Sequence, residues 1–249
     1  RAIMAFFLML VQVNRVGGGV LASELSDGYN LSPTMIGLVI GSMFFAAAVV
    51  QVPVGLMLDS FGARRTLVGL SVIAVSGMIL IGFASGAAEL IIGRILVGIG
   101  HGASITGVYL LAVVWTSPER VSTVAAITIA VGGALGGILG TAPLAISFET
   151  LGFSDTFVLL AIASLFSSFL IWKLIDEKNS FTDDPNASEG LSGSLVGFFE
   201  VLKDRNLWPI FAMALCFSFP FATIGGLWAS PFLQDLHKLT SVEAGGIIL

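Results

Sequence analysis

Of the 249 residues, 56% are hydrophobic and 11% are charged, with a formal net charge of −5. Soluble domains carry charge on about a quarter of their positions, so this chain has too few charges to wet the surface of a globular protein. There is no basic stripe for nucleic acid, and the single Cys216 excludes an internal disulfide framework or a cysteine-rich metal site.

Crossing about 30 Å of hydrocarbon takes about 20 helical residues. Apolar runs of that length are expected as spans near 2–26, 33–58, 66–84, 88–115, 121–147, 154–174 and 208–235, and an eighth starts near residue 240. Barrel strands would alternate apolar with polar over about ten residues; the run from Leu67 to Phe83 does not. Helices are expected because each satisfies its own backbone in lipid. The first run is too long for a secretory leader, holds Arg15 in its middle, and is followed at once by a second run.

Lys and Arg in short loops stay on the cytoplasmic side. Arg64 and Arg65 follow span 2, Arg120 follows span 4, and Lys173, Lys178, Lys203 and Arg205 follow span 6, against only Lys238 in the opposite loops. This asymmetry places the amino terminus inside. The expected location is a multi-pass integral protein of a bacterial inner membrane, with the lipid bilayer as its first partner.

The polar stretch around Asp176, Glu177, Lys178, Asp183 and Asp184 breaks the apolar pattern. Three regions are therefore expected: a six-helix bundle over 1–174, a cytoplasmic linker over 175–206, and the start of a second bundle over 207–249. Within the linker, Leu195 to Leu202 reads equally as an interfacial helix or as an early start to span 7. Internal similarity supports two halves. Gly18-Gly19-Val20-Leu21-Ala22-Ser23 recurs as Gly225-Gly226-Leu227-Trp228-Ala229-Ser230, and Leu31-Ser32 before Gly37 recurs as Leu239-Thr240 before Gly245. Six spans per half would give about twelve in the intact protein, with this chain ending early in the second half.

After span 2 the chain reads Gly55-Leu56-Met57-Leu58-Asp59-Ser60-Phe61-Gly62-Ala63-Arg64-Arg65-Thr66-Leu67. This resembles the signature loop between helices 2 and 3 of the major facilitator superfamily, with Gly55, Asp59, Gly62, Arg64 and Leu67 matching and Ser60 and Ala63 departing. In span 4, Leu90, Arg94, Gly98 and Gly100 are similar to a second pattern of that family, with Val97 where proton-linked members often carry Gln. Span 5, with Gly132, Gly136, Gly140 and then Thr141-Ala142-Pro143-Leu144, differs from the ending typical of drug antiporters. The resemblance implies an all-α membrane protein of the major facilitator fold, its amino-terminal half complete and its carboxy-terminal half truncated. It also implies secondary active transport by alternating access.

That resemblance gives the charged residues roles. Gly55, Asp59, Gly62, Arg64, Arg65 and Arg120 are expected to form a gate at the cytoplasmic face, where charges pair in one state and separate in another; the arginines would also suit simple topological anchoring. Arg15 sits mid-span, where a charge costs at least about 2.5 kcal/mol, so it should face protein or water. Helices 1 and 4 of the family line the central cavity. This makes Arg15 a candidate to hold a carboxylate or phosphate, with Asn14, His101 and Trp228 as further substrate-binding candidates. A structural ion pair is the competing role for Arg15.

Arg94 is expected as a structural charge in the membrane, paired with Glu24 or Glu89. His101 is a candidate for proton coupling or a plain hydrogen-bonded side chain. Gly37 with Gly41, Gly98 with Gly102, and the span 5 glycines read as close-packing positions.

The expected function is transport of a small solute, an organic anion by the evidence of Arg15, with a proton or sodium as coupling ion. A sensor or receptor that keeps the fold but moves nothing is the alternative. An enzyme is not expected, because no nucleophile with a base and no metal cluster is visible, and no cofactor is implied.

Overall fold

The computed structural model describes residues 2–175, 203–220, 223–224 and 228–248. Its helices are α1 (Ala2–Val16), α2 (Gly18–Tyr29), α3 (Pro33–Val49), α4 (Gln51–Gly82), α5 (Ala87–His101), α6 (Ser104–Trp115), α7 (Val121–Leu139), α8 (Ala142–Leu151), α9 (Phe153–Leu174), α10 (Trp208–Pro220), α11 (Ala229–His237) and α12 (Ser241–Ile248). Among the described residues there is no strand. The Leu195–Leu202 segment lies outside the described residues.

Four stretches are long and apolar enough to cross a membrane without a sharp bend: Ser60–Gly82, Ala87–Trp115, Pro118–Leu139 and Phe153–Leu174. Two more qualify as bent pairs, Ala2–Val16 with Gly18–Ser26 at 41° and Pro33–Val49 with Gln51–Leu58 at 45°. These six correspond to the first six expected spans and are numbered so below. The fifth is shorter than expected, since α7 stops at Leu139 and the chain re-enters helix only at Ala142, as α8.

Local chemistry sets the ends. Ser32 caps α3 by accepting from the Met35 amide at 3.3 Å, and Pro33 supplies a preset first turn. Asn30, with φ 50°, ends α2 in the left-handed region. Glu89 accepts from both the amide and the hydroxyl of Ser85, fixing the entry to α5. The turn between spans 2 and 3 lies inside α4 at Gly62, whose φ of 76° and ψ of 170° would strain a residue with a side chain. Thr66 donates to the Met57 carbonyl at 2.9 Å across that turn and holds it shut.

Two of the breaks face one another. Span 2 bends at Val50 and Gln51, and span 4 is interrupted between α5 and α6 around Gly102. The Gln51 amide donates to the Gly102 carbonyl at 3.4 Å, and the Ser104 hydroxyl donates to the His101 carbonyl at 2.7 Å. Carbonyls at an interrupted helix need such partners in a bilayer.

Elsewhere, buried hydroxyls bond back along their own helix: Ser42 to Val39, Ser71 to Leu67, Thr128 to Val124 and Ser168 to Ser164. Large apolar side chains such as Phe45, Phe83, Ile162 and Phe169 point outward and are more than half exposed. A hydrocarbon surround makes that arrangement favourable.

Small residues let backbones touch. A side chain at Gly77 would meet the Gly93 carbonyl at 2.6 Å, closing span 3 on span 4, and one at Gly132 would meet the Ala5 carbonyl at 2.7 Å, closing span 5 on span 1. Gly98 packs in the same way on the Met43 backbone, and Gly136 on Met9. The expectation for Gly37 and Gly41 is corrected: a side chain there would meet nothing within 4 Å, so neither brings two described helices together. The Gly77–Gly93 contact was not anticipated, because single glycines on two helices show no spacing motif.

This asymmetry on one helix is testable. Gly136→Val should lower the unfolding midpoint of the detergent-solubilised protein by the equivalent of about 1–3 kcal/mol. Gly133→Val, on the side where nothing lies within 4 Å, should change it little.

Candidate functional site

The polar centre of the bundle is built from spans 1 and 4. On α5, Gly93 and Gly100 face span 3 and Gly98 faces span 2, and the intervening Arg94 reaches span 1. Its Nη1 donates to the Asn14 carbonyl at 3.3 Å. Arg94 is 2% exposed, and its Nε and Nη2 have no hydrogen-bond partner among the described residues. It pairs with neither Glu24 nor Glu89. Glu89 is taken by Ser85 at the helix entry, and the Arg94 side chain stays buried instead of reaching toward that end.

Asn14 is buried too, with its side-chain amide donating to the Leu10 carbonyl at 3.0 Å. One residue on, Arg15 is partly buried, and its side chain makes no hydrogen bond or ion pair among the described residues. Span 1 bends directly after it, at Gly17, where a side chain would collide with Leu144 of α8 and with the Val13 carbonyl. His101 is buried, its Nδ1 is unpartnered among the described residues, and it lies within electrostatic reach of both Arg15 and Arg94. The structure therefore gathers Asn14, Arg15, Arg94 and His101 into one cluster rich in positive charge.

A small cavity of about 10 Å³ opens beside the cluster, lined by Asn14, Gly17, Arg94, Leu144, Phe148 and Phe157, among others. Sequence reasoning missed the α8 and α9 wall, because apolar residues of a span carry no mark of which neighbour they face. Trp228 is 45% exposed at the start of α11, and no contact joins it to this cluster among the described residues. No group of three or more metal-ligating side chains converges among the described residues.

The residues expected to gate lie at the opposite end of span 2 from Asn30. Gly62 makes the turn. The side chain of Asp59 lies outside the described residues. Gly55 has nothing within 4 Å of where a side chain would begin.

Arg64 reaches across to span 6, donating from Nη1 to the Ile175 carbonyl at 3.1 Å with its guanidinium carbon 4.9 Å from the Trp172 ring centre. Arg65 and Arg120 are exposed, and their side chains make no hydrogen bond or ion pair among the described residues. Sequence pattern gave no sign of the Trp172 contact, since one spanning 108 positions leaves no trace in local pattern.

At the other end of the bundle, the Gln234 amide of α11 donates to the Ser23 hydroxyl of α2 at 2.7 Å. There α12 also packs on α8.

The Arg64–Trp172 contact should be measurable in a double-mutant cycle. Arg64→Ala and Trp172→Ala should each destabilise, and their combination should be less than additive by about 0.5–1 kcal/mol, read from unfolding midpoints.

Comparison with known proteins gives a consistent group. The profile of the Major Facilitator Superfamily matches residues 2–249. The hexuronate transporter of Bacillus subtilis is 30% identical over 97% of this chain and 58% of its own length. The sodium-dependent phosphate transport protein 1 of Mus musculus is 29% identical over 75% of this chain and 41% of its length. The probable sulfoacetate transporter of Cupriavidus necator is 25% identical over 66% of this chain and 38% of its length. The chain thus spans about 38–58% of the length of these curated relatives.

Proposed function

The chain belongs to the Major Facilitator Superfamily, an integral multi-pass membrane family, and from that premise we propose that it serves secondary active transport of a small organic anion by alternating access. The observation that carries this reading is Arg15: a mid-span guanidinium, partly buried at a helix bend, with every donor left over by the described residues. A charge in hydrocarbon needs compensation. Among the described residues no carboxylate pairs with Arg15 or Arg94, so an anionic solute is the natural counter-charge.

The names of the three relatives support the same substrate class, since each names an acid or an oxyanion. In this reading Arg15 holds the anionic group through paired N–H donors. Asn14 and His101 border it, and Trp228 would approach it in another state of the cycle. Arg94, donating to the Asn14 carbonyl, holds span 1 in position. The coupling ion in this reading is a proton or sodium.

Orientation follows the arginine-rich loops, with the amino terminus in the cytoplasm of a bacterial cell and a linker over 175–206 between two six-helix bundles. The gate around Asp59, Arg64, Arg65 and Arg120 would then lie at the inner face. Rocking of one bundle against the other would open and close it. The Ser23–Gln234 hydrogen bond is the kind of contact that would close the outer face while the inner one is free.

Flux into proteoliposomes holding the full chain tests this. A panel of uronates, sulfonates and phosphates should include a transported solute, and neutral sugars and amines should not match it. Arg15→Gln should cut uptake of that solute by about a hundredfold; normal uptake would remove Arg15 from the site. Asp59→Asn should insert normally and slow transport, and an unchanged rate would count against the gate.

A further inference from the structure

We propose that the transported solute carries two anionic groups, one held by Arg15 on span 1 and the other by the Nε–Nη2 edge of Arg94 on span 4. This rests on the transport reading above and narrows its substrate class from organic anions to short dianions, dicarboxylates or sulfocarboxylates. Nε–H and Nη2–H share one edge of the planar guanidinium, the fork with which arginine holds anionic oxygens. Both atoms are buried and lack a hydrogen-bond partner among the described residues. Only Nη1 is committed, to the Asn14 carbonyl, so anchoring span 1 leaves the fork of Arg94 open.

The two arginines meet at one place on span 1. The carbonyl that accepts from Arg94 Nη1 at 3.3 Å belongs to the peptide bond joining Asn14 to Arg15. Arg94 also lines the cavity there, together with Val13, Asn14 and Gly17, which flank Arg15 in the chain. Both arginines act electrostatically on the same His101 ring. One short solute can therefore engage both.

Charge decides between one anionic group and two. Arginine keeps its proton in proteins, so the pair contributes two permanent positive charges. Among the described residues no carboxylate pairs with either side chain. A monoanion would compensate one guanidinium and leave the other unpaired. For Arg94 that means a charge beside Leu144, Phe148, Phe157 and Leu160, surroundings that disfavour it strongly. Two anionic groups give each arginine its own charge-assisted hydrogen bonds.

The test is equilibrium binding to the purified full chain of malonate, succinate, glutarate and sulfopropionate. Each is compared with its half-amide and its full amide, at a pH where every acid group is ionised. The tightest diacid should bind about ten- to a hundredfold more strongly than its half-amide, the gain of one further charged contact. Arg94→Gln should bring diacid and half-amide to equal affinity and leave the half-amide bound at least as tightly as before.

A half-amide that binds as tightly as its diacid, or more so, would overturn the assignment while leaving the anion reading intact. An Arg94→Gln variant that weakens both by the same factor would overturn it too, since that marks an arginine whose only role is to hold span 1. Should Arg94→Gln fail to fold, the ratio of diacid to half-amide in the unaltered protein decides. A panel in which no acid binds better than its full amide would instead sink the transport reading, and this inference with it, so the two failures are distinguishable.

Discussion

A guanidinium at 2% exposure inside a bundle whose outer surface is hydrocarbon-like is the constraint from which the rest of the polar centre follows. Removing such a group from water costs several kcal/mol unless it is paired. One of its nitrogens finds a backbone carbonyl, that of Asn14. This requires span 1 to lie close on span 4, and span 1 in turn is held by the glycine contacts of span 5 at Gly132 and Gly136. The same approach leaves Arg15 at the bend before Gly17. The geometry that accommodates one arginine thus presents the other.

The interrupted helices belong to the same logic. Spans 1, 2 and 4 all break, and at the break of span 2 the Gln51 amide donates to the Gly102 carbonyl at the break of span 4, where Ser104 also donates to the His101 carbonyl of its own span. A broken helix is tolerated in a bilayer only where its freed backbone groups are met by neighbours, so breaks that pair are mutually permissive. At one end of the bundle Arg64 joins span 3 to the last turn of span 6, and at the other Ser23 meets Gln234. Contacts at two opposite ends are the elements an alternating mechanism has to make and break in turn.

Much of the fold was legible in the amino-acid sequence because a bilayer reduces the question to length and hydropathy. Six apolar runs before residue 175 became four stretches and two bent helix pairs long and apolar enough to cross a membrane, and Gly62 sat at the turn that its loop motif implied. Arg15 and Arg94 stood out because charges in apolar runs are rare.

What pattern left hidden was who faces whom. Gly37 and Gly41 look like a packing pair by spacing and touch nothing described, whereas Gly77 and Gly93, unmarked by spacing, are in backbone contact. Arg94 was expected beside a carboxylate near its end of the span and instead bonds a main-chain oxygen, which has no sequence signature. The Arg64 stack on Trp172 likewise depends on the packing of span 3 against span 6.

The proposed function rests on positive charge at the middle of spans 1 and 4 that no carboxylate among the described residues pairs with, offered to an anion. The most direct measurement is equilibrium binding to the purified full chain, comparing an acid that binds with its neutral amide of nearly equal shape. The account predicts that the amide binds about a hundredfold or more weakly, because it leaves the arginine donors without their counter-charge. Equal affinity for the two would contradict it.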